Sequence, residues 1–212
     1  MSGALQAVFQ NQRSFGLTIG QALGGGYFAG QISTAGNGVA DYNLIVAPVS
    51  SGQTNSVFFK TSGAYDSGAE SDINGPSNSS SMNDAAHPAA QFCESANIGG
   101  FTDWYLPAKN ELEVCYYNLK PSTKTNNTGS GVNTNAVPSR GSTYTSGTPA
   151  KTSATLFQSG QAQEFAEVRY WTSTQDTGIG NRARFQSFYD GGQGSYYKVS
   201  YFRARAVRRV AV

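Results

Sequence analysis

Apolar and polar positions along this chain follow two different periods, and the changes of period mark the elements. The run YNLIVAP at residues 42–48 is apolar almost without a break, which predicts a buried strand ended by Pro48. Glycines between Gly24 and Gly30 suit a tight turn or a close backbone approach ahead of it. The spacing then lengthens. Ala89, Phe92, Cys93 and Ala96 stand at i, i+3, i+4 and i+7, with Pro88 in the opening turn and Gly99 and Gly100 as a stop, which predicts a first helix. Leu112, Cys115, Tyr116 and Leu119 repeat the spacing for a second helix, with Pro107 just inside its start and Pro121 beyond its end. Near the C-terminus the period returns to two. A strand runs up to Phe188, residues 190–194 (DGGQG) turn the chain, and a β-rich stretch from Tyr196 to Val210 returns beside it as a hairpin. Residues 66–83 read as loop, and the long polar stretch 120–160 reads as either a functional loop or an ordered insertion.

Composition changes this picture in two ways. Charged residues are only 13% of the 212, so the fold must rest on turns and backbone hydrogen bonds more than on surface ion pairs. Twelve Tyr, twelve Phe and two Trp still supply the apolar area for a core. No charge block or Pro-rich linker divides the chain, so the expectation is one domain over 21–212 preceded by a possible attachment or oligomerisation arm, 1–20. The net charge of +2 comes largely from the end of the chain, where Arg203, Arg205, Arg208 and Arg209 cluster. Without a basic stripe elsewhere, these predict salt bridges and cation–π contacts rather than nucleic-acid binding. No signal-peptide pattern and no apolar stretch of membrane-spanning length occurs, so synthesis in the cytoplasm without membrane insertion is expected.

Candidate chemistry is sparse. Cys93 and Cys115 fall on apolar helix faces and read as buried free thiols, with a bridge between the two helices as the alternative. The single histidine, His87, has no second histidine near it, which argues against a metal or general-base role. No zinc pattern, nucleophile elbow or phosphate loop is present, so no catalytic residue, metal or cofactor is expected and the chain does not read as an enzyme. Asn126 opens a glycosylation sequon that has no meaning without secretion.

Four segments in order resemble one family. GGGYF (24–28) with LIVAP (44–48), GGFTDWYLPAKNEL (99–112), YWTST (170–174) and VRRV (207–210) are similar to the landmarks of C-type-lectin-like domains of the Lcl C-terminal type, found in bacterial adhesins and phage receptor-binding proteins. The resemblance implies a compact α+β fold, two helices around a small twisted antiparallel sheet with long irregular loops. Asp103, Trp104, Leu106, Pro107, Glu111 and Trp171 then build the scaffold: Trp104, Leu106 and Trp171 in the core, and Asp103 or Glu111 on free backbone donors at the helix start. The C-terminal stretch further resembles the variable region of proteins diversified by retroelements. Ala183, Phe188, Gly191, Gln193, Lys198 and Val207 to Val210 would be its fixed skeleton. Phe185, Ser187, Tyr189, Asp190, Gly192, Gly194, Ser195, Tyr196, Tyr197, Val199, Ser200 and Tyr201 would be its replaceable positions, each reachable from an AAC codon by changing adenines alone.

The resulting expectation is an adhesin on a phage virion, in the tail or on a surface fibre, that binds a host-surface protein or glycan. Its ligand-binding residues would be Arg182, Arg184, Phe185, Ser187, Tyr189, Asp190, Gly192, Ser195, Tyr196 and Tyr197, with the aromatics supplying affinity and the charges complementarity at the rim. Contact with other virion proteins and a homotrimer are implied by relatives. One alternative is a purely structural capsid-decoration or tail-assembly subunit. Another is an oxidoreductase of the formylglycine-generating type, against which stands the lack of any cysteine after Cys115.

Overall fold

Short strands joined by glycine-rich turns carry most of the chain. In the computed structural model, which describes residues 16–212, they are β1 (Ala22–Leu23), β2 (Gly26–Ile32), β3 (Tyr42–Val46), β4 (Gln53–Phe58), β5 (Ala136–Val137), β6 (Arg169–Gln175), β7 (Arg182–Ser187), β8 (Gln193–Tyr197), β9 (Tyr201–Arg205) and β10 (Val207–Ala211). Helices α1 (Val49–Gly52), α2 (Gly75–Ser80), α3 (Pro88–Glu94) and α4 (Lys109–Leu119) lie between them. The class is α+β. Among the described residues no helix is long and apolar enough to cross a membrane.

Two five-stranded sheets replace the single small sheet expected. One has the order β1-β2-β3-β10 with β5 also on β2, and the other has the order β4-β9-β6-β7-β8. All pairings are antiparallel except β6 with β9, which meet in parallel at Tyr170 and Arg203. Among the described residues the chain passes between the sheets four times, and two of these crossings, through α1 and at Ala206, lie side by side. The two crossings are tied together: the Ala47 amide donates to the Ala206 carbonyl at 3.0 Å, and the Ala206 amide donates to Gly52 at 2.8 Å.

The apolar run 42–48 is explained by what lies on its two sides. Leu44 and Val46 join one core with Leu112, Cys115, Tyr116, Leu119, Phe165, Tyr170 and Phe188, while Ile45 and Ala47 join another with Trp104, Leu106, Phe59, Cys93 and Trp171. Alternation therefore divides two cores instead of core from water. Each fully buried Leu or Val side chain stabilises the fold by about 1.5–3 kcal/mol. Both cysteines are free and fully buried, and burial pushes both thiols well above their ordinary range.

Three local expectations need correction. Pro107 lies two residues before α4 rather than inside it, because Ala108 is the N-cap. Residues 66–83 are not all loop: Asn74 accepts from the Ser77 amide and starts α2, with Pro76 in its first turn. The return stretch Tyr196–Val210 is three strands, not one, broken at Lys198–Ser200 and at Ala206. Of the two acidic groups proposed for the helix start, Glu111 takes the role by accepting the Ala108 amide at 2.8 Å, whereas Asp103 pairs with Arg208 at 2.7 Å. The proposed arm, 1–20, lies largely outside the described residues. Leu17 and Ile19, at its end, pack on the cores.

Candidate functional site

The hairpin β7–β8 is fixed from beneath by residues that sequence reasoning assigned to a skeleton. Phe188 sends its ring into the core, stacked on Phe165 at 4.0 Å and edge-on to Tyr116 and Tyr170. Gly191, at φ +77°, lies against the Tyr116 ring so closely that no Cβ fits there. The stretch 120–160 then buttresses the tip. The Asn127 amide donates to the Asp190 carbonyl at 2.7 Å, Gln193 donates to Ser130 Oγ at 3.0 Å, and Gly131 donates to Gln193 Oε1 at 3.2 Å. That stretch is itself pinned by buried Glu113, which accepts from Asn133 and Tyr144 at 2.6 Å and pairs with Arg140. Asn126 is buried, bonded to Tyr116 and to the Pro149 carbonyl, so the sequon is closed off.

At the other end, the turn from β8 to β9 hangs on Lys198. This lysine is fully buried, and its ammonium donates to the Ala64 carbonyl at 2.9 Å, to Asp66 Oδ2 at 2.6 Å and to Gln175. Asp66 also takes Lys60 and, at 2.9 Å, His87 Nε2, while His87 Nδ1 stands 2.6 Å from Asp84. Burial by itself would push the Asp66 carboxyl up, but the bonds from Lys198, Lys60 and His87 outweigh it and hold it below the usual carboxylate range. His87 thus has a structural partner set that its solitude in the sequence gave no sign of.

Above these anchors the replaceable positions face outward. Tyr189, Tyr196, Tyr197, Val199 and Tyr201 are exposed, and Phe185, Asp190, Gly192, Gly194, Ser195 and Ser200 are half-buried; Ser187 alone in that set is buried. Skeleton residues Ala183, Phe188, Gly191, Lys198, Val207 and Arg208 are buried. The other skeleton positions, Gln193, Arg209 and Val210, are half-buried.

The ten candidate ligand-binding residues do not all converge. Phe185, Ser187, Tyr189, Asp190 and Gly192 line one cavity of about 400 Å³, together with Asn127, Glu167, Val168, Arg169 and Gln193. Tyr196 adjoins it, since the Arg169 guanidinium lies 4.8 Å from the Phe185 ring centre and 5.5 Å from that of Tyr196. Arg182, Arg184, Ser195 and Tyr197 belong to the opposite face. The register Arg182 to Tyr197, Arg184 to Ser195 and Phe185 to Gly194 puts them there, because successive side chains on a strand alternate. Arg182 stacks on Tyr197 at 4.9 Å and Arg184 reaches Asp176 at 3.5 Å, so neither arginine stands on the rim of the tip cavity.

Four residues of the cavity went unread in the sequence: Asn127, Glu167, Val168 and Arg169. Lys124 lies 3.8 Å over the Tyr189 ring and 2.7 Å from Glu167. Burial opposes ionisation of Glu167, yet Lys124 and Ser122 hold its carboxyl below the ordinary range. Arg169 is placed by the register of β6 on β7, opposite Ser187. The scaffold residues behave as expected of a core: Trp104, Leu106 and Trp171 are fully buried. Glu111 is also buried, and there it meets the Tyr105 hydroxyl at 2.5 Å and Arg209 at 2.8 Å. Among the described residues no three His, Cys, Asp or Glu side chains gather as metal ligands do.

The arrangement sets exposed aromatic side chains over a packed floor, beside a concavity that holds one ion pair and one guanidinium. The family model described as the Lcl C-terminal domain matches residues 61–208, more than half of the chain. No curated protein matches it.

Proposed function

The chain belongs to the Lcl C-terminal domain family, and on that footing we propose that it is a phage-borne adhesin whose C-type-lectin-like scaffold presents the β7–β8 hairpin to a host-surface ligand. The observation that carries this reading is the division of the hairpin by burial. Positions whose identity is tied to packing lie underneath, and a set rich in Tyr, Ser, Gly and Asp lies on the open side. Such a palette gives large aromatic contacts at low conformational cost together with adaptable hydrogen bonds. The same division supports diversification of the hairpin by a retroelement, since exchange of the outer residues leaves the floor intact. Contact energy would centre on Phe185, Tyr189 and Tyr196 around the tip cavity, and repetition of a modest site in a trimer on a particle would raise avidity.

The test is host-cell binding by the purified chain, and its competition with particle adsorption. Tyr189→Ser with Tyr196→Ser lowers binding at least tenfold while the melting temperature stays within about 3 °C of the parent, because exposed substitutions cost about 0.5 kcal/mol or less. Retained binding by the double variant, or hairpins found packed between subunits in the assembled particle, contradicts the reading and favours a structural subunit.

A further inference from the structure

The sheet β4-β9-β6-β7-β8 ends at β8, and the outer edge of that strand is open. Bonds at the two ends of the hairpin fix which backbone groups face outward. The Ser187 amide donates to the Gly192 carbonyl at 2.9 Å, and the Lys198 amide donates to the Asn181 carbonyl at 3.1 Å. With the register Phe185 to Gly194 and Ala183 to Tyr196, Gly194 and Tyr196 turn their backbone groups toward β7, so Gln193, Ser195 and Tyr197 turn theirs away. The Gln193 amide bears this out by donating to Ser130 Oγ, and the Tyr197 carbonyl accepts the Ser200 amide at 2.9 Å. Among the described residues no backbone group bonds the amide or carbonyl of Ser195 or the amide of Tyr197.

The other edges of the two sheets are guarded. At the far end of the same sheet, β4 is irregular between Thr54 and Val57. In the other sheet, β10 carries Arg208 and Arg209 and exchanges both backbone bonds of Val207 with Tyr105, while β1 and β5 are two residues each. Bulges, charges and shortness keep a foreign strand from adding to an edge. The sequence of β8, QGSYY, holds no charge and no proline, and its register is unbroken.

An open amide and carbonyl on one residue, with a further amide two residues on, is the pattern that another β-strand recognises. Exchange of these side chains for anything but proline leaves the pattern in place, so the backbone supplies a constant contact while the side chains around it change. Tyr196 and Tyr197, 41% and 46% exposed, stand beside the edge with ring centres 5.8 Å apart and offer aromatic surface to an added strand. A second copy of β8 suits the edge poorly. Two-fold pairing centred on Ser195 sets Tyr197 of one copy opposite Gln193 of the other, whose amide Ser130 already takes, and brings the loop 127–131 of each copy against its neighbour. An extended segment of a different protein carries no such buttress.

We infer that the β8 edge is a strand-addition site, where an extended segment of a host-surface protein pairs with the backbone of Ser195 and Tyr197. The inference rests on the adhesin reading and narrows its ligand to a polypeptide.

The probe is a library of short random peptides panned on the immobilised full chain, the recovered peptides being resynthesised with one backbone N-methyl group at each position in turn. Bound peptides slow hydrogen exchange at the Ser195 and Tyr197 amides, followed by NMR. N-methylation weakens binding at alternate positions only, because alternate amides of an added strand face β8. Ser195→Pro removes an outward amide without touching the bonds to β7, and it weakens binding roughly tenfold or more beyond Ser195→Ala. Each variant is checked for an unchanged melting curve, and the N-methyl series needs no change to the chain. Host cells stripped with a broad-specificity protease no longer bind the chain. The inference is overturned by peptides that leave Ser195 and Tyr197 unprotected, by N-methyl effects without alternation, by binding that survives proteolysis of the cells, or by a dimer of the chain that Ser195→Pro abolishes. Loss of cell binding in the Tyr189 and Tyr196 variant but not in Ser195→Pro overturns it and leaves the adhesin reading standing. Peptide pairing at β8 by a chain that binds no host cell upholds the edge and overturns the adhesin reading.

Discussion

At the scale of single residues, the chain separates charges that hold the fold from charges left for contact. Lys198 belongs to the first kind: within a tyrosine-rich loop it is the one side chain turned fully inward, and it ties the β8–β9 turn to Asp66 and Gln175. Lys198→Met removes the donor and leaves the Ala64 carbonyl and Gln175 without it. The expected cost is about 3 kcal/mol, read as a fall in melting temperature of roughly 6–12 °C for a chain of this size. Arg205 is likewise internal, 4.4 Å over the Phe165 ring, and burial lowers its pKa to about 10. The C-terminal arginines were legible as structural from their alternation within a β segment, and Asp103 to Arg208 and Glu111 to Arg209 bear that out. Their partners were not legible, because they lie about a hundred positions away along the chain.

At the scale of elements, the hairpin shows where sequence patterns carry and where they stop. Its first strand and glycine turn were readable from alternation and from the run 190–194. The breaks at Lys198–Ser200 and Ala206 were not, because no glycine or proline marks them; the first is made by the inward turn of Lys198 and the second by the crossing between sheets. Gly191→Ala meets both a left-handed backbone and the Tyr116 ring, and the expected loss is about 2 kcal/mol or more, measured by denaturant unfolding. The loop carrying Asp66 gives a pH dependence. Its folded pKa lies below that of the unfolded chain, near 3.9, so its stabilisation is present in full above that value. It is lost as the pH falls below about 4 toward the folded pKa. Acid titration of stability between pH 5 and 2 follows this course, and Asp66→Asn flattens that part of the profile while lowering stability at pH 7.

At the scale of the whole molecule, β2, β3 and β6 each contribute side chains to both cores, and the chain passes back and forth between two sheets. The two larger helices were legible from their local period and the buried strand 42–46 from its unbroken apolar run, while the α+β class came from the family resemblance. The sequence did not show two sheets, since the pairing of β3 with β10 joins positions at opposite ends of the chain. For the site, Phe185, Ser187, Tyr189, Asp190 and Gly192 were read from residue type. Arg169, Lys124, Glu167 and Asn127 were not, because only the register of β6 on β7 and the folded path of residues 120–131 bring them near. The polar stretch 120–160, left open between ligand contact and ordered insertion, serves at Asn127–Gly131 as the buttress of the hairpin tip.

The central claim is that a fixed floor carries a replaceable surface, and it is tested by the folded fraction of two display libraries. One is randomised at Tyr189, Asp190, Ser195, Tyr196, Tyr197, Val199 and Tyr201, the other at Ala183, Phe188, Gly191, Lys198 and Val207. Most members of the first remain folded by protease resistance and few members of the second do. Equal folded fractions in the two libraries would contradict the account.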